Sequence, residues 1–232
     1  MNRESSRSKV VATVRELLLA GELRQGERIT EESVAASMQV GRHTVRAAFA
    51  ELMSMGLLEH VPNRGARIPI LDAERVNDLW DYRLTLEAGA MRIIVERGHD
   101  LGSLEQRTQD LLDLPADAPP AEVASVHQRI HTSIIELSGV ERLHEAYARC
   151  EAELLWVVST VNDTYDARVL GEIHRELLAS TRAGGQAAVD ALTTDIEKGR
   201  AALLDSIRRS TMSRAPFMGA MSAHALPRGD HA

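Results

Sequence analysis

The chain has 232 residues, 44% of them hydrophobic and 26% charged, with a net charge of −7. Those proportions suit a globular chain and exclude collagen-like, low-complexity and wholly disordered classes. No apolar run approaches the roughly 18 residues of a membrane span, and the N-terminus lacks the apolar core of a signal peptide. With a single cysteine, Cys150, no intrachain disulfide can form, and a reducing, cytoplasmic setting is expected.

Charge divides the chain. Residues 1–71 hold ten basic and eight acidic side chains, a net +2. Residues 72–209 are strongly acidic, and the tail 210–232 is close to neutral. A mildly basic front on an acidic body suggests two modules with different tasks.

The front opens with an amphipathic helix over Ser8 to Ala20, whose inward stripe is Val10, Val11, Val14, Leu17 and Leu18. Gly21 stops it and Gly26 turns the chain. Thr30 is placed to cap a short helix, Glu31–Met38, with Glu31 and Glu32 favourable in its first turn. Val34, Ala35 and Met38 are its expected buried residues. After the turn Gln39-Val40-Gly41 a third helix runs from Arg42 to Met55. Two short helices joined by a tight turn are the helix-turn-helix pattern. On the third helix, Val45, Ala48, Phe49, Leu52 and Met53 face inward. Arg42, His43, Arg46, Ala47 and Ala50 face out. Small residues let such a helix seat in the major groove, where arginines reach phosphates or guanine edges. His43 is placed for a phosphate. Leu57, Leu58 and Val61 then lead into the turn Pro62-Asn63-Arg64-Gly65. Ala66, Arg67, Ile68 and Ile70 return as a strand, forming a hairpin wing with Arg64 at its tip. Any one of Arg42, Arg46, Arg64 and Arg67 alone would read as solvated surface; their joint placement favours DNA.

From Asp72 to Ser210 the pattern is helix after helix, with six expected at 73–97, 102–112, 120–137, 140–161, 166–182 and 186–209. The tail 210–232, rich in Ser, Ala, Gly and Pro, reads as disordered. The expected fold is therefore mainly α: an N-terminal winged helix-turn-helix with a small β-hairpin wing over 1–71, then an all-helical antiparallel bundle over 72–209.

The strings Gly21-Glu22-Leu23, Gly26 through Glu32, Val40, Arg42, Val45-Arg46, Gly56-Leu57-Leu58 and Pro62 through Ala66 resemble the GntR family of bacterial transcription regulators. The family's recognition helix opens with a Ser-Arg-Thr-Pro-Val-Arg-Glu-like string. Here it reads Gly41 to Ala47, keeping Arg42 and Arg46 and departing at Gly41, His43, Thr44 and Ala47. The resemblance implies that Arg42, His43, Thr44, Arg46, Asn63, Arg64 and Gly65 meet DNA.

The rear half resembles the FCD effector domain of the FadR-type branch, through Leu79, Tyr82-Arg83-Leu84, Leu86-Glu87, His131, Ser138-Gly139, Arg142-Leu143 and His174 through Leu178. That branch often holds a divalent metal on one Asp and three His. At the matching positions stand His127, His131, His174 and Asp195. His127 sits where Asp is usual, and Asp195 where the last His is usual. Three imidazoles and a carboxylate suit zinc, with nickel or manganese as alternatives. His127 and His131 are four apart and share a helix face, and all four groups border apolar stripes. If buried they need a partner: a metal ion, or single hydrogen bonds in a metal-free polar pocket.

Arg83 is a candidate anchor for a carboxylate effector, or else the partner of an acidic side chain. Trp80 and Trp156 read as core or pocket wall, and His60, His99, His144, His224 and His231 as surface. The resemblance implies a cytoplasmic homodimer, bound to an inverted-repeat operator and controlled by a small organic acid, more often as a repressor. It is not expected to be an enzyme. The rival readings are a metal-dependent hydrolase, which would need an acid or base not evident beside the ligands, and a sensor whose effector is the ion.

Overall fold

A computed structural model describes residues 5–62, 65–160 and 166–213, with side chains to residue 209. Ser5 caps helix α1 (Ser6–Leu19), its hydroxyl accepting from the Ser8 amide. Val10, Val11, Val14 and Leu18 bury one face of this helix against α3. Thr30 caps α2 (Glu31–Met38) by accepting from the Ser33 amide. Gln39 ends that helix in the left-handed region at φ 54°, which makes the turn into α3 (Arg42–Ser54) tight. α3 buries Val45, Ala48, Phe49 and Leu52, the stripe expected from their spacing.

The wing is a three-stranded sheet. β1 (Arg28–Ile29) joins β2 (Glu59–Val61) and β3 (Gly65–Arg67) in the order β1-β3-β2, all antiparallel. Ile29 pairs with Ala66, which lies opposite His60 on the other side. The hairpin was expected; β1 was not, because two residues between a turn and a helix cap carry no alternation. β3 also stops at Arg67, short of the expected Ile70, which is 52% exposed. The intervening Pro69 has no amide hydrogen to continue the ladder. Val34, Ala35 and Met38, expected to be buried, are half-buried, since α2 is two turns long and packs mainly on α3.

Among the described residues six helices follow: α4 (Ala73–Arg97), α5 (Gly102–Leu112), α6 (Pro120–Leu137), α7 (Glu141–Ser159), α8 (Ala167–Ala183) and α9 (Gln186–Ser213). Their ends agree with the expected ones to within two residues, except that α9 continues four residues past Arg209 into the segment expected to be disordered. Asp72 caps α4 and Gly98 ends it at φ 63°. α4 lies along α9 and also packs on α6 and α7. The Trp80 indole N–H donates to the Ile196 carbonyl at 3.1 Å, fixing the register of α4 on α9. Half-buried His99, expected at the surface, also departs from its reading.

Arg75 joins the two halves. Its guanidinium donates to Glu153 on α7 (2.8 Å), to Glu59 on β2 (2.9 Å) and to the Gly56 carbonyl (2.9 Å). Burial pushes the Glu153 carboxyl up, and Arg75 offsets that only in part. Arg75→Met therefore leaves a mostly buried carboxylate unpaired, at a cost of about 2 kcal/mol and a Tm drop of roughly 4–8 °C. The sign with pH follows from linkage. A carboxyl whose folded pKa is raised holds more protons folded than unfolded, so stability falls as pH rises above the ordinary Glu range. The Tm deficit of the variant should be larger near about pH 8 than near about pH 5, as thermal melts at the two pH values will show.

Candidate functional sites: the recognition helix and a histidine cluster

Helix α3 exposes Arg42, His43, Arg46, Ala47 and Ala50, with Thr44 half-buried beside them. Two glutamates of α2 hold the arginines. Arg46 makes a two-pronged pair with Glu31, Nε to Oε1 at 3.1 Å and Nη2 to Oε2 at 3.0 Å. Arg42 Nη2 reaches Glu32 at 3.1 Å. Hydrogen bonds from Arg46 hold the Glu31 carboxyl below the usual carboxylate range against the opposing effect of burial. Planar guanidinium on planar carboxylate fixes the direction of the Arg46 head. On the wing, Arg67 is tied to Glu59. Gly65 sits at φ 87°, a left-handed conformation that favours glycine, and its Cα faces the Ile29 carbonyl. Asn63 and Arg64 lie outside the described residues.

The second site lies inside the helical half. His127 and His131 from α6, His174 from α8 and Asp195 from α9 place one ligand atom each within 4.8 Å of one another. The three imidazoles are buried. His131 Nε2 lies 3.2 Å from His127 Nε2 and 3.4 Å from His174 Nε2. Asp195 Oδ2 is 3.7 Å from His131 Nε2 and 3.6 Å from His174 Nε2. With metal–nitrogen bonds of about 2.0–2.1 Å, the edge of a tetrahedral zinc site is about 3.3 Å. Aspartate in place of the longer histidine still reaches the cluster.

Proton placement makes the case for a cation. His131 Nδ1 donates to Glu87 Oε2 at 2.7 Å, and His174 Nδ1 donates to the Leu170 carbonyl at 2.8 Å. Both acceptors lack protons, so each ring carries a hydrogen on Nδ1; in a neutral ring Nε2 is then a bare lone pair turned inward. Two such lone pairs at the 3.4 Å separation of His131 Nε2 and His174 Nε2 would repel in a buried site unless a positive charge lay between them. Burial, reinforced by the neighbouring imidazoles, holds His127 well below its ordinary pKa; His174 is also lowered by burial, partly opposed by Asp195. Neutral imidazole is the form that ligates.

Behind the cluster stands a polar network absent from the sequence reading. Glu87 is fully buried. It accepts from Arg83 Nε (2.7 Å), the Tyr147 hydroxyl (3.0 Å) and His131. The Gln128 amide in turn donates to Tyr147. Burial by itself would raise the Glu87 carboxyl; Arg83 and His131 override it and bring it to about 2. Arg83 is paired with an acid, the second of the two readings weighed for it, and its buried Nη2 has no hydrogen-bond partner among the described residues. It lines a cavity of about 140 Å³ that also reaches His127, His131 and Asp195. Trp80 forms part of that cavity's wall, while Trp156 is buried on α7 and lines a separate pocket with Leu18 and Leu57. Glu87 stood among the residues that carry the FCD resemblance, and its i, i+4 spacing from Arg83 was a further signal; Tyr147 and Gln128 had none.

Comparison with known proteins is consistent across both halves. Residues 6–68 match the model of the bacterial regulatory proteins of the gntR family, and residues 78–198 match the FCD domain. The Nta operon transcriptional regulator of Aminobacter aminovorans is 31% identical over 123 residues, which cover 52% of this chain and 58% of that protein, short of two thirds of its length. The protein named "Probable D-xylose utilization operon transcriptional repressor" in Paenarthrobacter nicotinovorans is 23% identical over 79% of this chain and 83% of its own. The crystal structure of a GntR transcriptional regulator from Rhodococcus sp. RHA1 shares the fold with a TM-score of 0.69 at 22% identity, over 87% of this chain and 99% of that one. Among the described residues no helix is long and apolar enough to cross a membrane. The chain belongs to the GntR family of DNA-binding transcription regulators, with an FCD domain as its helical half.

Proposed function

We propose that the protein is a homodimeric repressor whose operator affinity is set by a small carboxylate bound at a divalent metal in the helical half. The division of labour falls near residues 71 and 72, where the wing ends and α4 begins. In each protomer α3 enters the major groove, with Arg46 and Arg42 at base edges or phosphates and His43 and Thr44 beside them. The turn Asn63, Arg64 and Gly65 approaches the neighbouring minor groove. Two such domains read the halves of an inverted repeat, with the cytoplasm as the site of action. Repression is supported by the name of the Paenarthrobacter relative.

The observation that carries the reading is the convergence of three buried imidazoles and Asp195, with Nε2 of His131 and Nε2 of His174 turned toward each other. His127, His131, His174 and Asp195 would hold the ion, zinc by preference and nickel or manganese otherwise. When bound, it supplies positive charge and an open position for a carboxylate oxygen. Glu87 orients His131, the Leu170 carbonyl orients His174, and Arg83 Nη2 is left to meet the second carboxylate oxygen. An effector that binds one arrangement of the dimer better than the other shifts operator affinity by that difference.

Metal content per chain, measured on untagged protein purified without chelator, tests the ligand set; about one ion per chain is expected. An empty chain that also refuses added zinc, nickel and manganese refutes it. A second reading rests on the same arrangement: the ion itself is the effector. Operator binding compared with metal alone and with metal plus a carboxylate separates the two, because only the sensor responds fully to the ion.

A further inference from the structure

The cavity beside the histidine cluster has one polar end and an otherwise apolar wall. Arg83, His127, His131 and Asp195 form the polar end. Trp80, Val158, Leu170, Ile173, Ile196 and Ala202 line the rest. Among the described lining residues the only other charged group is Lys198, whose side chain is exposed.

From this cavity we infer the class of effector: a monocarboxylate carrying a compact apolar body of four to six carbons, branched or aromatic, rather than a sugar acid or a polycarboxylate. The inference rests on the proposed carboxylate site at the metal and adds what that site selects.

Three observations support it. The first is a charge count. Arg83 and Glu87 cancel as a buried pair, and Asp195 contributes one negative charge. Three neutral imidazoles and a divalent ion leave the site one positive charge in excess. One carboxylate balances that excess; a second or third would bury uncompensated negative charge. The second is size. The cavity of about 140 Å³ is close to the roughly 150 Å³ apolar cavity that accepts a benzene ring. The third is the wall. Hydroxyl groups of a sugar acid would lose their water against Ile173, Ile196 and Leu170 without hydrogen-bond partners in return. Lys198 is an exposed, hydrated ammonium, and such a group adds little to the pairing of a second carboxylate.

The test is calorimetric titration of the metal-loaded, full-length chain, with metal content rechecked after each run. The series is acetate, butanoate, 4-methylpentanoate and benzoate, set against lactate, succinate, citrate and gluconate. Each buried methylene should raise affinity roughly fourfold. 4-Methylpentanoate, with four more apolar carbons, should then bind roughly 250-fold tighter than acetate, and the polar acids no tighter than acetate. Ala202→Phe, which adds bulk to the apolar wall, should remove that gain.

Tighter binding of succinate, citrate or gluconate than of 4-methylpentanoate overturns the inferred class and leaves the carboxylate site standing. The same holds for tighter succinate binding that is lost in Lys198→Ala. Should no acid in the panel, acetate included, bind a chain that does hold metal, the carboxylate site itself falls. A chain-length gain that survives Ala202→Phe in a folded protein places the apolar body elsewhere and refutes the assignment to this cavity.

Discussion

Replacing Arg46 by alanine should lower affinity for the specific operator by roughly 30-fold to more than 10⁴-fold, while leaving the fold and the dimer in place. A well-aligned arginine on a guanine is worth about 1–3 kcal/mol of discrimination, and the proposed dimer presents it twice. In the free protein the Arg46 head is held by its two bonds to Glu31, which contacts with DNA must replace. The side chain is mostly exposed, so the melting temperature should move by no more than about 2 °C. Gel-shift titrations against an operator selected from random DNA, with a scrambled duplex beside it, measure the effect. Unchanged operator affinity would remove α3 from the major groove. A large loss of stability would mean that the Arg46–Glu31 pair holds α2 on α3.

The second large effect is expected at His131. This residue touches the other two imidazoles, lies near Asp195 and connects the cluster to Glu87. His131→Ala removes one ligand outright. Metal affinity should fall by more than the roughly 10- to 100-fold typical of losing an outer partner. Stability should follow it. Free metal at about 1,000 times its Kd stabilises a folded chain by about 4 kcal/mol, or roughly 8–16 °C for a chain of this size. Added zinc should raise the Tm of the unaltered protein by that order and barely move the variant. Elemental analysis and melts with and without zinc give both readouts. Full metal occupancy in the variant would show that the ion lies elsewhere. His174→Ala provides a separate check, because its Nδ1 meets only a backbone carbonyl and its loss leaves the Glu87 network intact.

The helices were legible in the sequence because their causes are local. Thr30 and Asp72 cap, Gly98 terminates, and the stripe Val45, Ala48, Phe49 and Leu52 repeats with the helical period. The same locality hid β1, whose two residues pair only through a partner almost forty positions away. It also hid the polar network behind the cluster. Glu87 meets His131 across 44 positions and Tyr147 across 60, through packing of α4 on α6 and α7. Arg75 reaches Glu153 across 78. Spacing within one helix carries no trace of such pairs. The four cluster residues were found by resemblance to the family, since only alignment to it could bring positions 127, 174 and 195 together before a fold was known.

The glutamates beside the recognition arginines bear on how the protein searches DNA. Arg42 and Arg46 already carry counter-anions, Glu32 and Glu31, tethered to the same chain. An arginine that leaves an internal carboxylate to meet a phosphate displaces fewer bound cations per net charge delivered, so the dependence of binding on salt should be shallower than a count of arginines suggests. The same tether weakens attachment to arbitrary sequence, where phosphates alone must compete with the glutamates. On the correct sequence, base edges add their own bonds and the competition is won. The protein would thus leave wrong sites quickly and lose comparatively little of its hold on the right one when ionic strength rises.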